Sequence, residues 1–127
     1  MKYLIDSSAW IEYLEGSVSG EKVNEILQEK EHEIFVIYVN IAEVVSKVKR
    51  MKKDFELAYN VIISNSKILN VTPRVAKEAG ILHAQLKSKN GNFSLADALI
   101  IKTAESVSAK ILTKDNHFKN FRNTIMI

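Results

Sequence analysis

The sequence predicts an α/β fold in which helices flank a mainly parallel central sheet. Two observations predict it: short apolar segments alternate with longer segments of helical periodicity, and only one proline and four glycines interrupt 127 residues. So few helix-breaking residues indicate long helices joined by tight connections. Without a visible repeat or linker, a chain of this length fits one domain over residues 1–127.

Five strands are predicted, because five short segments are rich in apolar, β-branched or aromatic residues. In chain order they cover residues 3–5, 33–38, 67–71, 110–113 and 124–127. The first strand ends directly before Asp6, and the fourth is followed closely by Asp115. Ligands of open α/β sheets bind beyond the carboxyl ends of the strands, so we expect a functional site at this edge.

Helices are predicted where apolar residues recur every three or four positions. In chain order they cover residues 8–15, 20–30, 40 to about 50, 54–63, 72–87 and 94–105, and a turn is predicted over residues 90–92. Gly16 is a typical helix stop, Asn40 is expected to begin the third helix, and Thr72 with Pro73 indicates the start of the fifth. Ser94 is expected to cap the last helix.

Composition limits the chemistry that the chain can perform. There is no cysteine, which excludes disulfides, thiolate zinc sites and cysteine nucleophiles. His32, His83 and His117 are scattered without metal-ligand spacing. His117 lies close to Asp115 and could touch a substrate, but it is expected to be a plain surface residue. Any metal is therefore expected to have oxygen ligands, which favours Mg²⁺ or Mn²⁺.

The net charge of +3, with a pI of about 9.1, is compatible with a polyanionic partner without requiring one. The densest apolar run, residues 34–39, is too short to cross a bilayer. A charge at Asp6 precedes any possible signal-peptide core, so we expect a cytoplasmic protein.

Four acids stand where their side chains can meet at the carboxyl edge of the sheet. Asp6 and Asp115 follow predicted strands, while Glu43 and Asp97 are predicted in the first turns of helices. Carboxylates held together repel one another unless a cation or a proton intervenes. A divalent cation would relieve that repulsion and could activate water for phosphodiester cleavage.

Each acid also has a purely structural explanation. Glu43 follows Asn40 in a pattern that resembles a capping box, and Asp97 follows Ser94 in a variant of it. Asp6 could cap the first helix, and Asp115 could form a turn. Taken singly, each acid is more often a cap than a ligand.

Four segments together resemble the acidic motifs of PIN domains, in the same order and at similar spacing. They are LIDSS at residues 4–8, NIAEV at residues 40–44, FSLADALI at residues 93–100 and ILTKDNHF at residues 111–118. The chain is most similar to the compact VapC-like toxins of toxin–antitoxin pairs. It departs from them at Asn40, where Ser or Thr is more usual.

The resemblance implies a PIN-like α/β domain with Mg²⁺- or Mn²⁺-dependent endoribonuclease activity, in which metal-activated water hydrolyses RNA phosphodiester bonds. Asp6, Asp97 and Asp115 would hold the metal, and Glu43 would act as a further ligand or orient the attacking water. The resemblance also implies RNA as the substrate, a cognate antitoxin as a partner and a homodimer.

Three further residues are candidates for substrate binding. Ser7 lies beside Asp6 and could donate a hydrogen bond to a carboxylate or a phosphate, or cap a helix. Lys47 and Arg50 recur with Glu43 at helical spacing and could line a path for RNA phosphates, or form a solvated helix face.

Other functions have weaker support. A non-catalytic binding module for nucleic acid or protein remains an alternative, although all four acids are present. Phosphoacceptor receiver domains pair acids directly after the first strand, and haloacid-dehalogenase-type phosphatases need an Asp where Ser8 stands. No Gly-x-Ser-x-Gly elbow or phosphate-binding glycine loop occurs, which excludes serine hydrolases of that type and P-loop enzymes.

Overall fold

Five parallel strands form the centre of the protein. A computed structural model describes every residue except Asn90, so the turn predicted over residues 90–92 lies partly outside the described residues. The strands pair in the order β3-β2-β1-β4-β5, and each of the four pairs is parallel. They are β1 (Lys2–Ile5), β2 (Glu33–Val36), β3 (Lys67–Ile68), β4 (Lys110–Thr113) and β5 (Thr124–Met126). The predicted α/β class with a mainly parallel sheet is confirmed.

Six helices connect these strands in the described residues. They are α1 (Ser7–Glu15), α2 (Val18–Gln28), α3 (Tyr38–Arg50), α4 (Phe55–Asn65), α5 (Pro73–Lys87) and α6 (Leu95–Ser106), with a 3₁₀ turn at Asn116–Phe118. Local capping explains several boundaries. Thr72 accepts a hydrogen bond from the Val75 N–H at the start of α5, and Asp54 accepts one from the Leu57 N–H at the start of α4.

Alternation along the strands gives the sheet two apolar faces. Tyr3 and Ile5 of β1 belong to the core cluster shared with α1 to α4, whereas Leu4 belongs to the cluster shared with α5 and α6. Side chains of a strand point alternately to its two sides, so a sheet buried on both faces needs continuous apolar strands. This arrangement leaves the strand ends as the place where polar groups can gather.

The start of α3 differs from the sequence prediction. β2 ends at Val36 and α3 already begins at Tyr38, so the strand predicted to residue 38 and the helix start predicted at Asn40 are wrong. Asn40 is the third helical residue, and its Oδ1 accepts a hydrogen bond from the Ile37 N–H at 3.4 Å. Glu43 consequently lies in the second turn of α3, not in the first.

The start of α2 and the end of β3 also differ from the predicted bounds. α2 begins at Val18 because Ser17 caps it, its Oγ accepting the Gly20 N–H at 3.0 Å. β3 is shorter than the predicted 67–71 and pairs with β2 alone at the edge of the sheet. None of the helices in the described part of the chain is both long and apolar enough to cross a membrane.

Candidate acidic site at the carboxyl edge of the sheet

Asp6 lies at the centre of the carboxyl edge. Its backbone N–H donates to the Leu112 carbonyl at 3.0 Å, which extends the β1–β4 ladder by one residue. Although Asp6 is the N-cap residue of α1, its side chain makes no capping hydrogen bond. It is only 3% exposed, and this burial raises the pKa of its carboxyl group. Helix capping therefore does not explain why an acid is buried here.

Hydroxyl groups from two elements hold the Asp6 carboxylate in place. Ser8 donates to Asp6 Oδ2 at 2.7 Å, and Thr113 donates to the same oxygen at 2.9 Å. These bonds stabilise the charged form and oppose the rise in the pKa of Asp6. Thr113 Oγ1 also accepts the Asp115 N–H at 2.9 Å, so one buried hydroxyl links two of the predicted acids.

Asp97 and Asp115 meet at a histidine side chain. His117 Nδ1 lies 3.3 Å from Asp97 Oδ2 and 3.5 Å from Asp115 Oδ1. One ligand atom from each of the three residues can be chosen so that all lie within 4.8 Å of one another. The expectation that His117 is a plain surface residue is wrong, since its imidazole faces both acids.

Both of these aspartates also have capping roles. Asp97 and Ser94 form the predicted capping box, each side chain accepting the backbone N–H of the other residue at 3.0 Å. Asp115 accepts the His117 N–H at 2.9 Å and caps the 3₁₀ turn. The capping bonds fix the directions of the two carboxylates, and the contacts with His117 go beyond what capping requires.

Glu43 approaches the same group from α3. Ser7 donates a hydrogen bond to Glu43 Oε1 at 3.1 Å, which joins α1 to α3 across the site. Glu43 retains solvent-accessible surface, but the elements around its carboxylate partly desolvate it, and this desolvation is the largest cause of its raised pKa. The negative charges of Asp6 and Asp97 raise the pKa of Glu43 further. The four predicted acids thus lie around one region of the carboxyl edge, and the ligand atoms that come within 4.8 Å of one another there are those of Asp97, Asp115 and His117.

This group of carboxylates lacks a basic counter-charge. Among the described residues, no lysine or arginine nitrogen lies within 4.0 Å of the four carboxylates, and His117 is the one base within that distance. Buried or half-buried carboxylates without a paired cation repel one another and favour a proton or a metal ion. Oxygen-rich groups of this kind match the ligand preference of Mg²⁺ and Mn²⁺.

A groove of about 650 Å³ lies between α1 and α3, and of the four predicted acids Glu43 lines it. Ser7 and Glu43 lie in its wall, together with Lys47 and Arg50. Lys114 also lines the groove, and its Nζ donates to Ser19 Oγ at 2.8 Å. The groove therefore places the Glu43 side chain beside the three basic side chains of Lys47, Arg50 and Lys114.

Sequence reasoning missed the residues that support the acids. Thr113 is a fully buried polar residue at the end of an apolar strand, and that contrast was the available signal. Ser8 and His117 each lie two residues after a predicted acid. The contact of Ser8 with Thr113 depends on how β1 and β4 pair, and the contact of His117 with Asp97 depends on where α6 lies. Lys114 precedes Asp115 directly, and nothing in its local sequence indicates a groove.

Known proteins resemble the chain over nearly its full length. The sequence model of the PIN domain matches residues 3–123. None of the curated proteins compared with the chain matches it in sequence.

Similar solved structures include a toxin–antitoxin complex from Klebsiella pneumoniae, with a TM-score of 0.75 and 19% identity over 98% of this chain and 96% of that one. VapBC2 from Rickettsia felis, bound to a DNA fragment from its promoter, gives a TM-score of 0.77 and 21% identity over 100% and 98% of the two chains. VapC20 from Mycobacterium tuberculosis, described as a toxin that cleaves the sarcin–ricin loop, gives a TM-score of 0.73 and 13% identity over 92% of each chain. These TM-scores show that the chain shares the fold of the three proteins. With the match of the sequence model, they establish that the chain belongs to the PIN-domain family.

Proposed function

We propose that the chain is a metal-dependent endoribonuclease and the toxin of a toxin–antitoxin pair. The observation that best supports this proposal is the group formed by Asp6, Glu43, Asp97 and Asp115, which has no lysine or arginine counter-charge within 4.0 Å among the described residues. A stable fold gains little from such a group, because the carboxylates repel one another. A bound divalent cation would offset this repulsion between the carboxylates.

The four carboxylates are the proposed ligands for Mg²⁺ or Mn²⁺. Asp6, Asp97 and Asp115 would hold the ion, and Glu43 would complete the ligand set or orient the attacking water. When bound, a divalent ion lowers the pKa of a water ligand and so supplies a nucleophile at neutral pH. It also neutralises negative charge on the phosphoryl group.

The remaining residues prepare this site for hydrolysis. Thr113 and Ser8 hold Asp6 in one orientation, so little reorganisation is needed when substrate arrives. Ser7 positions Glu43 at the wall of the groove, where the carboxylate can accept a hydrogen bond from water. The activated water would attack phosphorus in line with the 3′-oxygen. That oxygen would leave, and the products would carry a 5′-phosphate and a 3′-hydroxyl.

The groove supports RNA as the substrate. Lys47 and Arg50 lie in it beside Glu43, where they would meet the backbone phosphates of a bound strand. The description of the structurally similar VapC20 as a toxin that cleaves the sarcin–ricin loop also supports RNA over DNA.

An antitoxin and a second copy of the chain are the proposed protein partners. The similar structures from Klebsiella pneumoniae and Rickettsia felis are described as a toxin–antitoxin complex and as VapBC2. Next to the groove, α1, α3 and α4 form an apolar cavity of about 150 Å³, whose lining includes Ile11, Leu14 and Leu57. Apolar side chains of a partner would fit this cavity.

The test is cleavage of a mixed pool of transfer, ribosomal and messenger RNA in Mg²⁺, in Mn²⁺ and in EDTA. We expect metal-dependent cutting that leaves 5′-phosphates and is lost in Asp6→Asn and Asp97→Asn. Asp54→Asn is the matched control, because Asp54 is the only other aspartate, its contact is a helix cap, and Asn caps equally well.

Cutting that persists in EDTA or in the Asp6 and Asp97 variants would contradict the proposed site. If RNA is not cut and Mn²⁺ does not bind, the alternative of a non-catalytic module that binds nucleic acid or protein would take its place.

A further inference from the structure

His117 occupies a position that the four-carboxylate site does not explain. The 3₁₀ turn Asn116–Phe118 places it there: Asp115 caps the turn, and the fully buried Phe118 anchors it in the core. As a result the imidazole Nδ1 faces Asp97 Oδ2 at 3.3 Å and Asp115 Oδ1 at 3.5 Å. Its side chain is 35% exposed, so the ring is held at the mouth of the site and not within the core.

These distances suit three ligands of one metal ion. Adjacent ligands of an octahedral ion, each about 2.1 Å from it, are roughly 3 Å apart. The separations of 3.3 and 3.5 Å are close to that value, and the three ligand atoms lie within 4.8 Å of one another. Each aspartate is already oriented by a backbone N–H, from Ser94 and from His117, so only small side-chain adjustments are needed.

We infer that His117 is a direct metal ligand, which makes Asp97, Asp115 and His117 a mixed nitrogen–oxygen site that binds Mn²⁺ in preference to Mg²⁺. Mg²⁺ is bound in proteins almost entirely through oxygen, whereas imidazole is a common ligand of first-row transition ions. Mn²⁺ accepts carboxylate oxygens as readily as Mg²⁺ does, so the imidazole is the group that discriminates between them. This inference rests on the proposed metal-dependent function and adds the identity of the ion.

The most direct test is pulsed electron paramagnetic resonance of Mn²⁺ bound to the intact chain. A coordinated imidazole nitrogen couples magnetically to the ion, and labelling histidine with ¹⁵N changes the coupling. We expect nitrogen coupling in the wild type and in His83→Asn, and its loss in His117→Asn. His83 is the matched control because its ring stacks on Phe93 and makes no contact with the acids.

A second readout is the ratio of the Mg²⁺ and Mn²⁺ dissociation constants, measured by calorimetry. Removing the imidazole should lower the preference for Mn²⁺ by about 10-fold or more, since even groups that only orient metal ligands contribute 10–100-fold to affinity. His117→Asn keeps an amide that can donate to Asp97, so a loss of preference cannot be attributed to a missing hydrogen bond. His117→Gln serves as a second variant if His117→Asn unfolds.

The outcomes separate this inference from the proposed function. If wild-type protein binds Mn²⁺ without nitrogen coupling and still cuts RNA through its aspartates, His117 is no ligand, and the nuclease proposal stands. If the chain binds no Mn²⁺ at all, both are overturned. Coupling that persists in His117→Asn would assign the nitrogen to another residue and overturn the inference alone.

Discussion

Replacing Thr113 with valine should destabilise the protein strongly, although the two side chains have nearly the same shape. Thr113 is fully buried, and its hydroxyl donates to Asp6 Oδ2 at 2.9 Å while accepting the Asp115 N–H at 2.9 Å. A hydrogen bond to a charged group contributes about 1.5–3 kcal/mol, and an amide left without its partner costs about 1 kcal/mol or more. We therefore expect the free energy of unfolding to fall by about 2–4 kcal/mol.

The matched control is Thr103→Val, the same substitution at an equally buried threonine. Thr103 is 2% exposed, and its hydroxyl has no hydrogen-bond partner among the described residues. Valine should be neutral there or stabilise the protein by up to about 1 kcal/mol, because a buried unpaired hydroxyl is removed.

Urea and thermal unfolding in EDTA, where no metal contributes to stability, measure the difference. For a chain of this size, about 3 kcal/mol corresponds to a Tm roughly 10 °C lower. If the two valine variants differ by less than about 0.5 kcal/mol, the hydroxyl does not hold the acids as described. Thr113→Ser, which keeps the hydroxyl, should retain most of the stability.

Three further predictions test other parts of the structure. Burial raises the pKa of Asp6, so its carboxyl group keeps a proton to higher pH in the folded chain than in the unfolded chain. The free energy of unfolding without metal should therefore fall as the pH rises through the folded pKa of Asp6. Asp6→Asn should weaken this dependence in urea titrations and unfold at higher temperature in EDTA at neutral pH, and a lower Tm would contradict the burial argument. In the Asp6→Asn background, Lys114→Gln should reduce the dependence of log K for RNA binding on log salt concentration by about 0.7, the value for one phosphate contact. Lys77→Gln, on the exposed surface of α5, should leave this slope unchanged. Finally, Gly20→Ala would place a Cβ 2.2 Å from a backbone oxygen of α1 and should destabilise the chain by about 1–3 kcal/mol or more. Gly80→Ala, in open space within α5, should stabilise the chain by about 0.5–1 kcal/mol, and thermal unfolding measures both effects. Equal effects of the two alanines would contradict the close packing of α1 on α2.

Local signals made most of the fold predictable. Strands β1 and β4 each contain a short apolar run and are directly followed by polar residues, so both strands and the edge where Asp6 and Asp115 lie were predictable. Caps at Thr72 and Ser94 located the starts of α5 and α6. Signals of this kind depend on neighbouring residues and need no knowledge of the sheet.

The beginning of α3 was predicted wrongly because Tyr38 has a strand-favouring side chain. Helix formation prevails there: the Asn40 amide accepts the Ile37 N–H, and Val44 and Val48 lie buried on the inner face of the helix. Tertiary packing of α3 against the sheet therefore outweighs the local preference of one aromatic residue.

The contacts that complete the site could not be predicted from local sequence. His117 reaches Asp97 across 20 positions of the chain, and Thr113 reaches Asp6 across 107. The Thr113–Asp6 contact exists because β1 and β4 are neighbours in the sheet, and the His117–Asp97 contact exists because α6 packs beside β4. Periodicity does not reveal either arrangement of distant segments. Asp6 and Asp115 were predictable because they follow strand ends, and Glu43 and Asp97 because they lie near helix starts. Their supporting residues depend instead on how distant elements pack.

Anomalous diffraction from crystals soaked in Mn²⁺ tests the central claim most directly. We predict a manganese peak within ligand distance, about 2.2 Å, of carboxylate oxygens from the group formed by Asp6, Glu43, Asp97 and Asp115. The peak should disappear in Asp97→Asn and remain in Asp54→Asn. A peak elsewhere on the chain, or full occupancy in Asp97→Asn, would show that the acids at the carboxyl edge of the sheet do not form the metal site.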